Sequence, residues 1–255
     1  MGAALKEAVM GEAAIQLENL TLGYDRHPAV HHLSARISRG ALVAMTGPNG
    51  AGKSTLMKGI AGQLKPLDGR ILLHDIERRD IAYLPQQAEI DRVFPIRVFD
   101  LVATGLWRTA GAFGAIGDIA GHRVHDALTA VGLAEFRHRT IGSLSGGQFQ
   151  RMLFARLLLQ DAPLILLDEP FNSVDAKTAQ DLMAIIERWH GEKRTIITVL
   201  HDVDQVRSRF PETLLLSREL IGFGPTSEVL TAGNLLRARQ LNEAFDERAE
   251  ICAHD

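Results

Sequence analysis

The chain has 255 residues, 46 % of them apolar and 23 % charged, with a formal net charge of −3. That is length enough for one large domain, or for a domain carrying an inserted lobe, and the slightly acidic balance gives no ground for nucleic-acid binding. A single cysteine, Cys252, excludes an internal disulfide. No apolar run approaches the roughly 18–20 residues of a membrane span. At the N-terminus, Lys6, Glu7 and Glu12 interrupt any signal-peptide apolar region.

In chain order, IQLENL (15–20) alternates apolar and polar and predicts a half-buried strand, and VHHLSARIS (30–38) predicts another after the turn signal DRHP. LVAMT (42–46) is a continuous apolar run ending in GPNG. STLMKGIAGQL (54–64) predicts the helix behind it, completing a strand, glycine-rich turn and helix. ILLH (71–74) and IAYLP (81–85) predict short strands. From about 88 to 160 helix-period segments dominate, broken by the glycine-rich TAGAFGAIGDIAG (109–121). LILLD (164–168) and TIITVL (195–200) predict buried strands on either side of a polar helix, about 175–190. LLLS (214–217) and LIGF (220–223) predict a closing hairpin, and 226–255 a polar helical tail. Strands at both ends with helices between predict an α/β core with an inserted helical lobe.

Two stretches carry chemistry. Gly47, Pro48, Asn49, Gly50, Ala51, Gly52, Lys53 and Ser54, followed by Thr55, fit the phosphate-loop pattern in its strand-to-helix setting. The glycines let backbone N–H groups turn inward around phosphate oxygens, and the helix start adds positive potential. Lys53 can reach the β- and γ-phosphates of ATP, and Ser54 can ligate Mg²⁺. In LILLDE, Asp168 and Glu169 sit at the end of a buried strand, the edge at which open α/β sheets hold ligands. Asp168 would hold Mg²⁺, mostly through water, and Glu169 would orient or deprotonate the attacking water. A bare glycine turn, or two solvated strand-end charges, is the bland alternative for each. Their co-occurrence in one chain is what makes the pair specific.

A second anion device follows the first by about a hundred residues. Ser145, Gly146, Gly147 and Gln148, in LSGGQ, present a hydroxyl and backbone N–H groups at a helix start. No lysine follows, so this is not a second nucleotide loop. LSGGQ between a phosphate loop and LILLDE resembles the ATP-binding-cassette (ABC) family, over roughly residues 13–225. The resemblance implies a P-loop NTPase (RecA-like) core, an antiparallel β subdomain and the inserted helical lobe. It implies two copies facing head to tail, with LSGGQ of one covering the γ-phosphate held by the other. It also places Tyr24 where the family stacks an aromatic on adenine. Gln86, beside Gln87, falls at the glutamine that contacts Mg²⁺ and the attacking water. Asp175 falls in the loop that crosses the dimer interface, and His201 at the histidine that contacts the γ-phosphate.

Within the family, the FPIRVFDLVATG run, the YLPQQ form and EPFNSVD are similar to the ATPases of zinc and manganese importers. Iron-chelate, haem and cobalamin importers are cousins. The implied partners are an integral membrane permease, a second ATPase subunit forming a homodimer and, indirectly, an extracytoplasmic metal-binding protein. The implied location is peripheral, on the cytoplasmic face of the membrane. Val98, Leu101, Val102 and Leu106 recur at helical spacing and read as lobe core, whereas Phe94, Pro95 and Arg97 are the candidates for contact with the permease. A soluble cassette acting on DNA or ribosomes, a small-molecule phosphotransferase and an exporter ATPase are the competing readings. Each lacks a feature it should have: tandem cassettes or long insertions, a reason for LSGGQ, and a fused membrane domain, respectively. His27, His31 and His32 lie close in sequence, but a metal site needs converging ligands.

Overall fold

A computed structural model describes residues 12–25, 27–86, 91–107, 118–172 and 174–246. Strands β1 (Ala13–Tyr24), β2 (His27–Ser38) and β4 (Asp68–Leu73) form an antiparallel sheet in the order β2-β1-β4. β3 (Leu42–Thr46), β5 (Ile81–Leu84), β6 (Leu164–Asp168), β7 (Thr195–Val199), β8 (Glu212–Ser217) and β9 (Glu219–Pro225) form a second sheet in the order β5-β6-β7-β3-β8-β9. Its first five strands are parallel, and β9 closes the edge antiparallel to β8. The helices are α1 (Lys53–Ile60), α2 (Val98–Ala103), α3 (Asp118–Ala130), α4 (Gly146–Gln160), α5 (Ala176–Gly191), α6 (Val203–Arg209), α7 (Thr226–Val229) and α8 (Ala232–Asp246).

The central strands are apolar throughout because the sheet is covered on both faces. Successive side chains of a strand point to opposite faces. Val43 and Met45 of β3, with Leu164 and Leu166 of β6, therefore join one core, shared with α1 and with Ile15, Leu17, Leu22, Val30 and Ile37 of the antiparallel sheet. Leu42, Ala44, Ile165 and Leu167 join the other, shared with the helical lobe and α5, where Phe154 stacks on Trp189 at 5.7 Å. The fold is thus the α/β core with an antiparallel subdomain and a helical lobe.

Several boundaries differ from expectation. The α1 helix stops at Ile60 instead of running to 64, because the chain turns through Gly62 at φ 77°. Within the helical block, the first helix of FPIRVFDLVATGLW (94–107) begins at Val98, the first of the residues that recur at helical spacing. The residues before and at its start pair with the chain after α3: Ile141 N–H donates to Ile96 O at 3.0 Å, and Val98 N–H to Arg139 O at 2.9 Å. Val98, Val102 and Leu106 are buried in the lobe core, and Leu101 packs against it. Of the glycine-rich stretch 109–121, residues 118–121 already belong to α3, and the rest lies outside the described residues. So do Gln87 and Cys252. Ring centroids of His31 and His32 are 6.5 Å apart, and His32 Nδ1 is 3.1 Å from Asn19 Oδ1.

Candidate active site

The phosphate loop is the turn by which β3 hands the chain to α1. At two of its glycines a side chain has no room. A Cβ on Gly47 (φ 149°) would lie 1.9 Å from the carbonyl oxygen of Leu216 in β8, and one on Gly52 (φ 91°) 2.5 Å from that of Ala29 in β2. The Arg218 N–H donates to the Ala51 carbonyl at 2.9 Å, tying the loop to the β8–β9 turn. Lys53, the first residue of α1, is 6 % exposed. Its Nζ donates to the carbonyls of Gly47 at 2.9 Å and Pro48 at 2.8 Å. Burial pushes the Lys53 amine below its ordinary pKa, against the charges of Glu169 and Asp168, which raise it.

At the end of β6, Asp168 is buried and Glu169 takes a left-handed backbone, φ 52°. That conformation costs a non-glycine residue on the order of 1 kcal/mol. The Glu169 carboxylate is held from several sides. His201, just beyond β7, brings Nε2 to 2.7 Å from Oε1, and Asn172 Nδ2 donates to Oε2 at 3.3 Å. Gln86, after β5, also hydrogen-bonds it. Burial would raise the Glu169 pKa. The hydrogen bonds from His201 and Gln86, with the charges of His201 and Lys53, outweigh it and hold the carboxyl below its usual value. In a His201→Ala chain one of the largest lowering causes is gone while burial remains, so the Glu169 midpoint is expected to rise. A carboxyl-carbon NMR titration reads this directly, and an unchanged or lower midpoint would mean that His201 does not set the charge of Glu169.

One cavity of about 720 Å³ joins these parts. Asn49 through Thr55 line it, with Gln86, Glu169, His201 and Ala29. The ends of β5 and β6 and the residue beyond β7 thus meet the loop after β3, as expected where parallel strands end together. Tyr24, Gly47, Pro48 and Asp168 are not in this lining. Gly47 and Pro48 act on Lys53 through their carbonyls, and Asp168 through its charge. Tyr24 is 49 % exposed at the end of β1, opposite His27. Ser54, Gln86 and Asp168 offer a hydroxyl, an amide and one carboxylate. This hard-oxygen set fits a Mg²⁺ ion that keeps waters and shares phosphate oxygens with its substrate. Among the described residues no three His, Cys, Asp or Glu side chains group to hold a metal by themselves.

Ser145, Gly146, Gly147 and Gln148 lie outside that lining. Ser145 caps α4: its hydroxyl accepts from the Gln148 N–H at 3.3 Å, and its own N–H donates to Gln148 Oε1 at 3.0 Å. The Gly146 and Gly147 N–H groups belong to the first helical turn, where no intrahelical carbonyl reaches them. Asp175 stands beside this turn, since a Cβ on Gly147 would be 3.6 Å from its Oδ2. Asp175 caps α5, accepting from the Thr178 N–H at 2.9 Å and hydroxyl at 2.8 Å. Sequence reasoning missed Ala29, which carries no chemical signal. It also missed Asn172, whose signal was its place three residues after Glu169 in a tight turn.

The family described as ABC transporter matches residues 30–172, more than half of the chain. The chain belongs to that family. It is an ATPase of the ABC type, and its family implies that it binds nucleotide. A relative from Listeria monocytogenes, the manganese transport system ATP-binding protein MntB, is 37 % identical over 85 % of this chain and 92 % of its own length. The zinc transport system ATP-binding protein TroB of Treponema pallidum is 38 % identical over 88 % of this chain and 86 % of its own. A solved ATP-binding cassette, dimeric in a post-hydrolysis state with ADP and phosphate, superposes with a TM-score of 0.74. It is 25 % identical and covers 83 % of this chain and 98 % of the other. Among the described residues of this ABC ATPase, no helix is long and apolar enough to cross a membrane.

Proposed function

We propose that this ABC ATPase, with its catalytic domain over residues 13–225, drives a zinc or manganese importer. It would work as a pair of identical copies on the cytoplasmic face of a membrane permease. The observation that carries the two-copy reading is the separation of its phosphate-binding devices. The phosphate loop lines a cavity with Gln86, Glu169 and His201, whereas Ser145 to Gln148 and Asp175 cluster outside that lining. A device turned away from its own nucleotide is explained by a second copy whose nucleotide it covers. The dimeric cassette with ADP and phosphate supports this, as the names of MntB and TroB support the cargo. Val93, Phe94 and Trp107 are 89 %, 62 % and 61 % exposed, which supports a protein partner on the lobe around Phe94, Pro95 and Arg97.

The loop from Gly47 to Thr55 wraps the phosphates, with Tyr24 against adenine and Lys53 on the β- and γ-phosphates. A Mg²⁺ ion held by Ser54, Asp168 and Gln86 would neutralise developing phosphate charge. Glu169 takes a proton from water as the water oxygen bonds to the γ-phosphorus and the bond to the bridging oxygen breaks. His201 orients Glu169 and contacts the γ-phosphate. Ser145, Gly146, Gly147, Gln148 and Asp175 of the second copy close over it.

The test is cellular metal content by elemental analysis, in a deletion strain under metal limitation, complemented with the wild type or with Glu169→Gln. A selective fall in zinc or manganese, restored by the wild type alone, is expected. Unchanged zinc and manganese would overturn the cargo, and a fall confined to iron or cobalt would move it to a chelate.

A further inference from the structure

Arg92, in the segment between Gln86 and α2, belongs to none of the motifs used above. Its guanidinium carbon stands 4.2 Å from the ring centroid of Phe149 in α4, a fully buried side chain. Its Nη2 donates to the carbonyl of Leu144 at 3.1 Å and to that of Ser145 at 3.4 Å. Among the described residues its buried Nε meets no hydrogen-bond partner. Backbones are close here too, since a Cβ on Gly142 would lie 2.8 Å from the Arg92 carbonyl oxygen.

The geometry bears on the turn before α4. A peptide unit is planar and trans, so its C=O and N–H point in opposite directions. Holding the Leu144 carbonyl from one side aims the Ser145 N–H toward the other, while the Ser145 carbonyl, which accepts from the Phe149 N–H at 2.9 Å as well as from Arg92, keeps the Gly146 N–H facing out of the helix start. The Ser145 N–H is taken by Gln148 Oε1 at 3.0 Å. The Gly146 N–H is a first-turn donor with no intrahelical carbonyl to reach. The guanidinium also fixes a positive charge beside the Ser145 carbonyl. The next two residues, Val93 and Phe94, are the exposed apolar pair on the lobe.

We propose that Arg92 is a positioning residue for ATP hydrolysis. It sets the aim of the Ser145–Gly146 turn toward the phosphate held by the second copy, and it ties that turn to the segment bearing Val93 and Phe94. This rests on the two-copy reading above.

For the test, Arg92→Ala, Arg92→Lys and Ser145→Arg are each combined with Glu169→Gln in the full chain, so that ATP-closed dimers accumulate. ATP affinity of the monomer is read by a fluorescent nucleotide at low protein concentration, the dimer constant by sedimentation, and the fold by thermal melting. Arg92→Ala is expected to leave monomer affinity within about twofold and to weaken the dimer about tenfold or more, the scale of losing hydrogen bonds from a charged group. Arg92→Lys keeps the charge but not the planar fork and stack, and is expected to fall between. It carries the same test should the alanine variant not fold. Ser145→Arg is expected to abolish the closed dimer. If Ser145→Arg closes normally, the two-copy reading fails and takes this inference with it. If Ser145→Arg blocks closure while the Arg92 variants close like their parent, the role of Arg92 alone is overturned. A lowered melting temperature with an unchanged dimer constant would assign Arg92 to packing and overturn it equally.

Discussion

Glu169→Gln is expected to bind ATP as the wild type does, to accumulate as a closed dimer, and to turn over about 10²–10⁴-fold more slowly, the usual loss for a general base. The amide keeps the volume of the side chain and can still meet His201 and Asn172, which now lie 2.7 Å and 3.3 Å from the carboxylate oxygens. What it cannot do is take a proton. The wild-type carboxyl is held ionised by its hydrogen bonds to His201 and Gln86 despite its burial, so the substitution removes the base without emptying the cavity. Single-turnover hydrolysis and size-exclusion chromatography with ATP read the two halves of this prediction. Unchanged turnover would take Glu169 out of the chemistry. Slow turnover without a closed dimer would separate its role in catalysis from the proposed cycle.

Lys53→Ala is expected to weaken ATP binding about 10–100-fold, because each hydrogen bond from an ammonium to a phosphate is worth about 1.5–3 kcal/mol. Lys53 sits at the start of α1 with Nζ within 3 Å of the Gly47 and Pro48 carbonyls. Its amine is therefore held at the phosphate loop before any nucleotide arrives. Burial already opposes its charge, which offsets part of what those two bonds contribute to the fold. The melting temperature is accordingly expected to move far less than the affinity. Calorimetric titration with ATP checks the first expectation and circular dichroism the second. Affinity within about twofold of wild type would place the phosphates elsewhere, whatever the loop resembles.

The strands buried on both faces were the most legible parts of the chain. LVAMT and LILLD became β3 and β6 residue for residue, because a short apolar run closed by a glycine turn or by charges has little freedom to end elsewhere. The edges were less legible. The β1 strand runs from Ala13 to Tyr24 instead of 15–20, carried past its local pattern by pairing with both β2 and β4. The start of α2 at Val98 is fixed by hydrogen bonds to residues some forty positions later. No local periodicity contains such bonds.

The site divides in the same way. The sequence by itself determined the chemical inventory: a glycine loop ending in Lys53 and Ser54, the Asp168–Glu169 pair, LSGGQ and His201. Each is a short run whose residue types and spacing already imply an anion, a cation or a proton to be moved. Only the tertiary structure decided which of them meet. It brought Gln86, Glu169 and His201 to the loop because parallel strands deliver their ends to one edge. It set Ser145 to Gln148 beside Asp175 and outside that cavity, and it put Ala29 and Arg92 in contact with groups that no motif connects to them. Proximity between distant segments follows from strand order and packing, which the chain specifies only as a whole.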